Sequence, residues 1–233
     1  INFITFTLFF IFIFNKKKEI KNNFYFFKYG WFFGFGYFLS SLYWISISLT
    51  FDHNFRYLIP FAIILVPSFL AIFYGLITYL FSIFYSKKLV VTFLIFSMLF
   101  GTIELIRGFI FTGFPWNLIA FSFSENIYVL QILSVIGTYS FNLICISIFT
   151  CPVLFILRRS RQEIFLGYFF IFIAISFMIF GFIRDSQFNL IKSNKHNYII
   201  RAVSPNIELN RFYLNKNEPK ILSELINLSN PEA

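Results

Sequence analysis

Apolar stretches long enough to cross a bilayer recur along this chain, each ended by a short cluster of charged or helix-breaking residues. About 20 apolar residues cover the hydrocarbon thickness as a helix. The stretches fall at 1–14, 24–50, 57–85, 89–111, 127–157 and 164–183, about six spans in all. Only 12% of the 233 residues are charged, where a soluble domain carries about a quarter. Mean hydropathy is +0.77, and much of the Phe is expected to face lipid. The predicted architecture is an all-α polytopic membrane helix bundle over residues 1–190.

The net charge of +9 does not mark a nucleic-acid binder. Its basic residues are divided among loops between spans and form no continuous face. The basic loops at 15–23, 86–88 and 158–163 alternate with basic-poor connections at 51–56 and 112–126. By the positive-inside rule the former are cytoplasmic, which places everything after Arg184 on the outer side. Ile1 opens an apolar stretch without a basic leader, so no signal peptide is read there and a fragment is expected.

After residue 190 the character changes. His196 to Val203 is rich in strand formers and is broken at Pro205-Asn206. Asn217-Glu218-Pro219 reads as a helix start, with Ile221, Leu222, Leu225, Ile226 and Leu228 on one face. A strand followed by an amphipathic helix opens an α/β unit, so residues 191–233 are expected to begin an outer domain.

Charged residues within a span suggest function by default. Glu104 and Arg107 are three apart and share a helix face. Counted from Leu89 at about 1.5 Å per residue, they lie roughly 22 Å and roughly 27 Å along the helix, near the outer boundary of the hydrocarbon. An ion pair anchoring the helix end is one reading; a cation held at headgroup level is the other. Trp44 and Tyr43 reach a similar level, as an aromatic belt or as the wall of a lipid cavity. Thr112-Gly113-Phe114-Pro115-Trp116 cannot continue a helix. Such backbone at membrane depth survives only where protein or a watery cavity covers it. Gly30 and Gly34, then Gly36 and Ser40, have the spacing of close helix packing. Cys145 and Cys151 lie about 240° apart around a helix and read as packing residues. His53 and His196 stand apart from any carboxylate or thiol cluster, so no metal site is expected.

The string Glu104-Leu105-Ile106-Arg107-Gly108, followed by Thr112-Gly113-Phe114-Pro115-Trp116, resembles the E-x-x-R-G…T-G-F-P-W signature of the apolipoprotein N-acyltransferase family. Gly34-Phe35-Gly36 with Tyr43-Trp44-Ile45 is similar to its G-F-G…N-W segment, Tyr43 standing where Asn is usual. Val203-Ser204-Pro205-Asn206-Ile207 is similar to the V-Q-x-N-I that opens its nitrilase-like domain. The resemblance implies that the bundle is followed by the beginning of an α/β nitrilase-like (carbon-nitrogen hydrolase) domain, in a bacterial inner membrane. It implies transfer of an acyl chain from a membrane phospholipid, through a cysteine thioester, to the diacylglyceryl-cysteine of a lipoprotein. No cofactor, metal or nucleic acid is called for, and a monomer is expected. Arg107 would meet the donor phosphate with Glu104 orienting it, and Trp116, Pro115 and Trp44 would shape the cavity mouth. The family's Glu-Lys-Cys triad would lie beyond Ala233, so the chain alone is expected to be inactive. Phe212-Tyr213 departs from the family's Trp near the start of that domain. A multi-span transporter subunit or a non-catalytic membrane scaffold is the alternative.

Overall fold

A computed structural model describes residues 1–110, 113–158, 160–190, 202–204 and 218–229. Among these residues the regular structure is all helical, with no strand. The helices are α1 (Asn2–Glu19), α2 (Phe24–Leu42), α3 (Ile59–Phe84), α4 (Leu89–Phe109), α5 (Ile127–Leu130), α6 (Leu133–Thr150), α7 (Pro152–Ile156), α8 (Arg161–Leu190) and α9 (Glu218–Ser229). Among the described residues, five helical segments are long and apolar enough to cross a membrane: Phe24–Thr50, His53–Phe84, Leu89–Phe109, Leu133–Ile156 and Arg161–Phe188. Helix α1 is apolar to Phe14 and closes on Lys16, Lys17, Lys18 and Glu19. The chain thus has the character of a multi-pass membrane protein.

The stretch from Phe24 to Thr50 is not one regular helix. It tightens into a 3-10 helix from Tyr43 to Thr50. Ser46, Ser48 and Thr50 each donate a hydroxyl to the carbonyl three residues back, at 2.7 Å. Such side-chain bonds compete with the α-helical ladder and suit the tighter winding. The stretch from 127 to 157 is also divided. Gly137 adopts φ 74, ψ 170, which bends α6 near its start, and Pro152 opens the separate α7.

Helices α2 and α3 form the most extensive pair. A Cβ at Gly30 would stand 2.0 Å from Thr78 Oγ1 and 2.3 Å from the Tyr74 carbonyl oxygen, so only glycine lets these backbones approach. Gly34 packs in the same way on Tyr74. Gly36 does not share this role: nothing lies within 4 Å of where its Cβ would be. A helix turns about 200° between positions 34 and 36, which carries Gly36 away from the contact face. The Thr78 hydroxyl donates to Phe26 O at 2.6 Å across the interface.

Phe residues serve both the interior and the lipid-facing surface. Phe6, Phe10, Phe81, Phe93, Phe96 and Phe100 are buried and interlock, with Phe10 meeting Phe96 edge-on at 5.2 Å. Phe32, Phe61, Phe165 and Phe172 are exposed on the outside of the bundle. Cys145 and Cys151 are buried free thiols, and Cys151 donates to Gly167 O at 3.4 Å. Maleimide labelling is expected to modify neither until the protein is denatured, as read by mass shift. Rapid labelling of either in the folded protein would contradict this packing.

The strand expected from His196 to Val203 lies outside the described residues up to Arg201; Ala202 to Ser204 have no regular structure. Helix α9 is amphipathic as its spacing predicts. Ile221 is buried, whereas Leu222, Ile226 and Leu228 are exposed. His196, Pro205-Asn206 and Phe212-Tyr213 lie outside the described residues.

Candidate functional site at the broken end of α4

Glu104 and Arg107 lie in the last turns of α4, and both are 1% exposed. Arg107 Nη2 donates to Glu104 Oε2. Its Nη1 donates to two main-chain carbonyls of the loop beyond the helix, Phe114 O at 2.9 Å and Trp116 O at 3.1 Å. The loop must be irregular, because Pro115 has no N–H and Gly113 sits at φ 82, where a side chain is strained. Its freed carbonyls need donors other than the helix ladder. A guanidinium has five N–H groups in a fixed fork and supplies them. The main chain closes the same turn, with Gly113 N donating to Ile110 O and Phe114 N to Arg107 O. The cation also lies 5.4 Å from the Phe38 ring centre and 6.0 Å from that of Phe114.

The ion pair is therefore a structural anchor of the loop as well as a charged group at the helix end. Among the described residues, three buried polar atoms around it make no hydrogen bond of ordinary geometry: Glu104 Oε1, Arg107 Nε and the Tyr74 hydroxyl. Tyr74 is close enough to Glu104 for electrostatic interaction, though no hydrogen bond of ordinary geometry joins them.

A cavity of about 360 Å³ opens beside this anchor. Its wall is apolar, formed by Leu65, Val66, Phe69 and Leu70 of α3 with Phe114 of the loop. Arg107 is the charged residue among those lining it. On the other side of the loop, Pro115 and Trp116 line a second cavity of about 500 Å³ with Leu118, Phe121 and Tyr139.

Trp116 and Trp44, far apart in sequence, meet with ring centres 5.4 Å apart. Both are well exposed, at 54% and 40%. All five residues singled out from the sequence therefore lie in one region, two as the buried anchor and three on the loop and the facing 3-10 helix. Tyr43, also 61% exposed, is the neighbour of Trp44. Gly108 has its own steric role: a Cβ there would stand 1.9 Å from the Tyr139 hydroxyl. His53 is exposed, and no cluster of metal-binding side chains exists among the described residues.

Sequence reasoning missed Tyr37, Ser41 and Asn117. The Tyr37 hydroxyl donates to Asn117 O at 2.9 Å, and Asn117 Nδ2 donates to Ser41 Oγ. Asn117 has φ 57, the left-handed region that Asn tolerates better than most residues. An Asn directly after a Pro-Trp break was the available signal. Nothing in the sequence pointed from α2 to that turn.

The fold and site together define a class: a multi-pass membrane protein whose buried charge pair props a broken loop beside an apolar cavity. A family profile described as Apolipoprotein N-acyltransferase N-terminal domain matches residues 1–150. The chain is 33% identical over 204 residues to the apolipoprotein N-acyltransferase of Brucella melitensis biotype 1, covering 87% of this chain and 38% of that protein. It is 36% identical over 186 residues to that of Rickettsia prowazekii, covering 77% and 36%. With that of Rickettsia typhi the identity is 40% over 124 residues, covering 53% and 25%. The chain belongs to the apolipoprotein N-acyltransferase family. It spans well under half the length of these relatives, and no solved structure matches it.

Proposed function

We propose that this chain is the membrane part of an apolipoprotein N-acyltransferase and holds the donor phospholipid for transfer to the N-terminal diacylglyceryl-cysteine of a lipoprotein. The observation that carries this reading is the cavity between α3 and the loop, apolar along its wall with Arg107 as its charged residue. That pairing suits an acyl chain with an anionic headgroup at its end. Arg107 supplies the positive charge for a phosphate oxygen, and Glu104 holds the guanidinium through Nη2. Phe114 of the cavity wall stacks on Trp116, which meets Trp44, so in this reading Pro115, Trp116 and Trp44 form the outer rim of its mouth beyond Phe114.

In this reading the chain works as a monomer in the bacterial inner membrane. Residues 1–190 form the bundle, and residues 191–233 begin a nitrilase-like domain on the outer side, where the Glu-Lys-Cys triad would act. Acyl transfer to the cysteine sulfur and then to the acceptor amine would occur there, and the membrane part alone would not catalyse it.

The test is lipoprotein acylation by the whole protein in membranes. Val66→Trp narrows the cavity while keeping both charges of the ion pair, and is expected to lower transfer about tenfold, equivalent to about 1.4 kcal/mol. Arg107→Ala should also lower it more than Arg56→Ala, since Arg56 is exposed in the 3-10 helix before α3. Parent-like activity of both Val66→Trp and Arg107→Ala would remove the donor-lipid role.

A further inference from the structure

We propose that Tyr37, Ser41 and Asn117 are positioning residues that register Trp116 against Trp44 and so set the shape of the cavity mouth. The inference rests on the reading of that mouth as the lipid entrance, and adds the device that holds it in place.

The argument begins with Ser41. Its hydroxyl accepts from Asn117 Nδ2 and donates to Tyr37 O at 2.6 Å. Its carbonyl accepts the indole N–H of Trp44 at 3.0 Å. One residue of α2 is thus bonded to Trp44 and to the residue following Trp116. Tyr37, one turn earlier, bonds the Asn117 carbonyl at 2.9 Å. From the other side, α4 holds the Trp116 carbonyl through Arg107. The successive carbonyls of Trp116 and Asn117 are therefore both bonded, to two different helices.

The side chain of Trp116 is treated differently. It is 54% exposed, with the rings of Trp44 at 5.4 Å and Phe114 at 6.4 Å beside it. A main chain fixed this tightly beneath an exposed aromatic side chain is how a recognition surface is preorganised. The left-handed backbone at Asn117 fits the same purpose. Strained conformations persist where surrounding bonds over-determine them. Here the Asn amide and carbonyl are both engaged, so the turn that presents Trp116 is dictated by α2.

The chain has three tryptophans, which allows a direct test. In a Trp31→Phe background, emission comes only from Trp44 and Trp116. The chain is placed in phosphatidylcholine vesicles, and time-resolved anisotropy of this emission is measured beside far-UV circular dichroism. The parent is expected to show little fast depolarisation. Tyr37→Phe and Ser41→Ala should each raise the amplitude of the nanosecond component about twofold or more, with helicity unchanged. Asn117→Gly should give a smaller rise than Asn117→Ala, because glycine restores the left-handed backbone and loses only the amide. If Tyr37→Phe loses helicity, Ser41→Ala carries the test, since it removes one partly exposed hydroxyl. Parent-like anisotropy in the helical variants would overturn the proposal.

In the whole protein, Tyr37→Phe should raise the KM for phospholipid donor more than it lowers kcat, a split that general destabilisation does not produce. Absence of acylation in the parent would refute the proposed function and leave the anisotropy result to decide this inference by itself.

Discussion

Arg107→Ala is expected to destabilise the bundle by about 3–5 kcal/mol, the usual cost of removing one partner of a buried ion pair. The change leaves the Glu104 carboxylate buried without its cation and takes donors from Phe114 O and Trp116 O. Thermal unfolding in detergent, followed by circular dichroism, measures it. Glu104→Gln should cost less, because the guanidinium keeps its two loop carbonyls. The double variant Glu104→Gln with Arg107→Met should recover part of the loss, since it leaves no isolated buried charge. Equal stability of Arg107→Ala and the parent would mean that the loop is held by its own turn.

The second large effect lies at the α2–α3 crossing. Gly30→Val places a branched side chain where even a Cβ would be 2.3 Å from the Tyr74 carbonyl oxygen. Backbone cannot rotate aside, so the helices must separate. The expected cost is at the upper end of overpacking, about 3 kcal/mol or more. Gly36→Ala is the matched control on the same helix. It has open space around it and should be neutral or stabilising by up to about 1 kcal/mol through helix propensity. Similar unfolding temperatures for the two variants would contradict the packing described here.

Much of the helical character was legible because the hydrophobic runs are long and their ends are marked by charge. Lys87-Lys88 before Leu89 is an example, with α4 beginning at Leu89. Internal breaks were less legible. Gly137 carries the bend in α6 through its dihedral angles, and a single glycine in an apolar run does not announce that. The spacing of small residues also misled at Gly36: GxxxG spacing gives a face but not which face meets a neighbour.

The candidate site was legible in part. Glu104 and Arg107 at three-residue spacing predict a pair, and Pro115 predicts a broken loop. That Arg107 bonds the loop carbonyls follows from neither observation, because sequence does not say where a freed carbonyl points. Tyr37, Ser41 and Tyr74 were out of reach for a different reason. Their part depends on α2 and α3 crossing beside the end of α4, a long-range arrangement invisible to local pattern.

Arg107 fastens the loop through the oxygens of peptide groups, and Tyr37 does the same at Asn117. Every amino acid offers that acceptor. The side chains at 114 and 116 can consequently be exchanged at the bench without removing a hydrogen-bond acceptor from the frame beneath them.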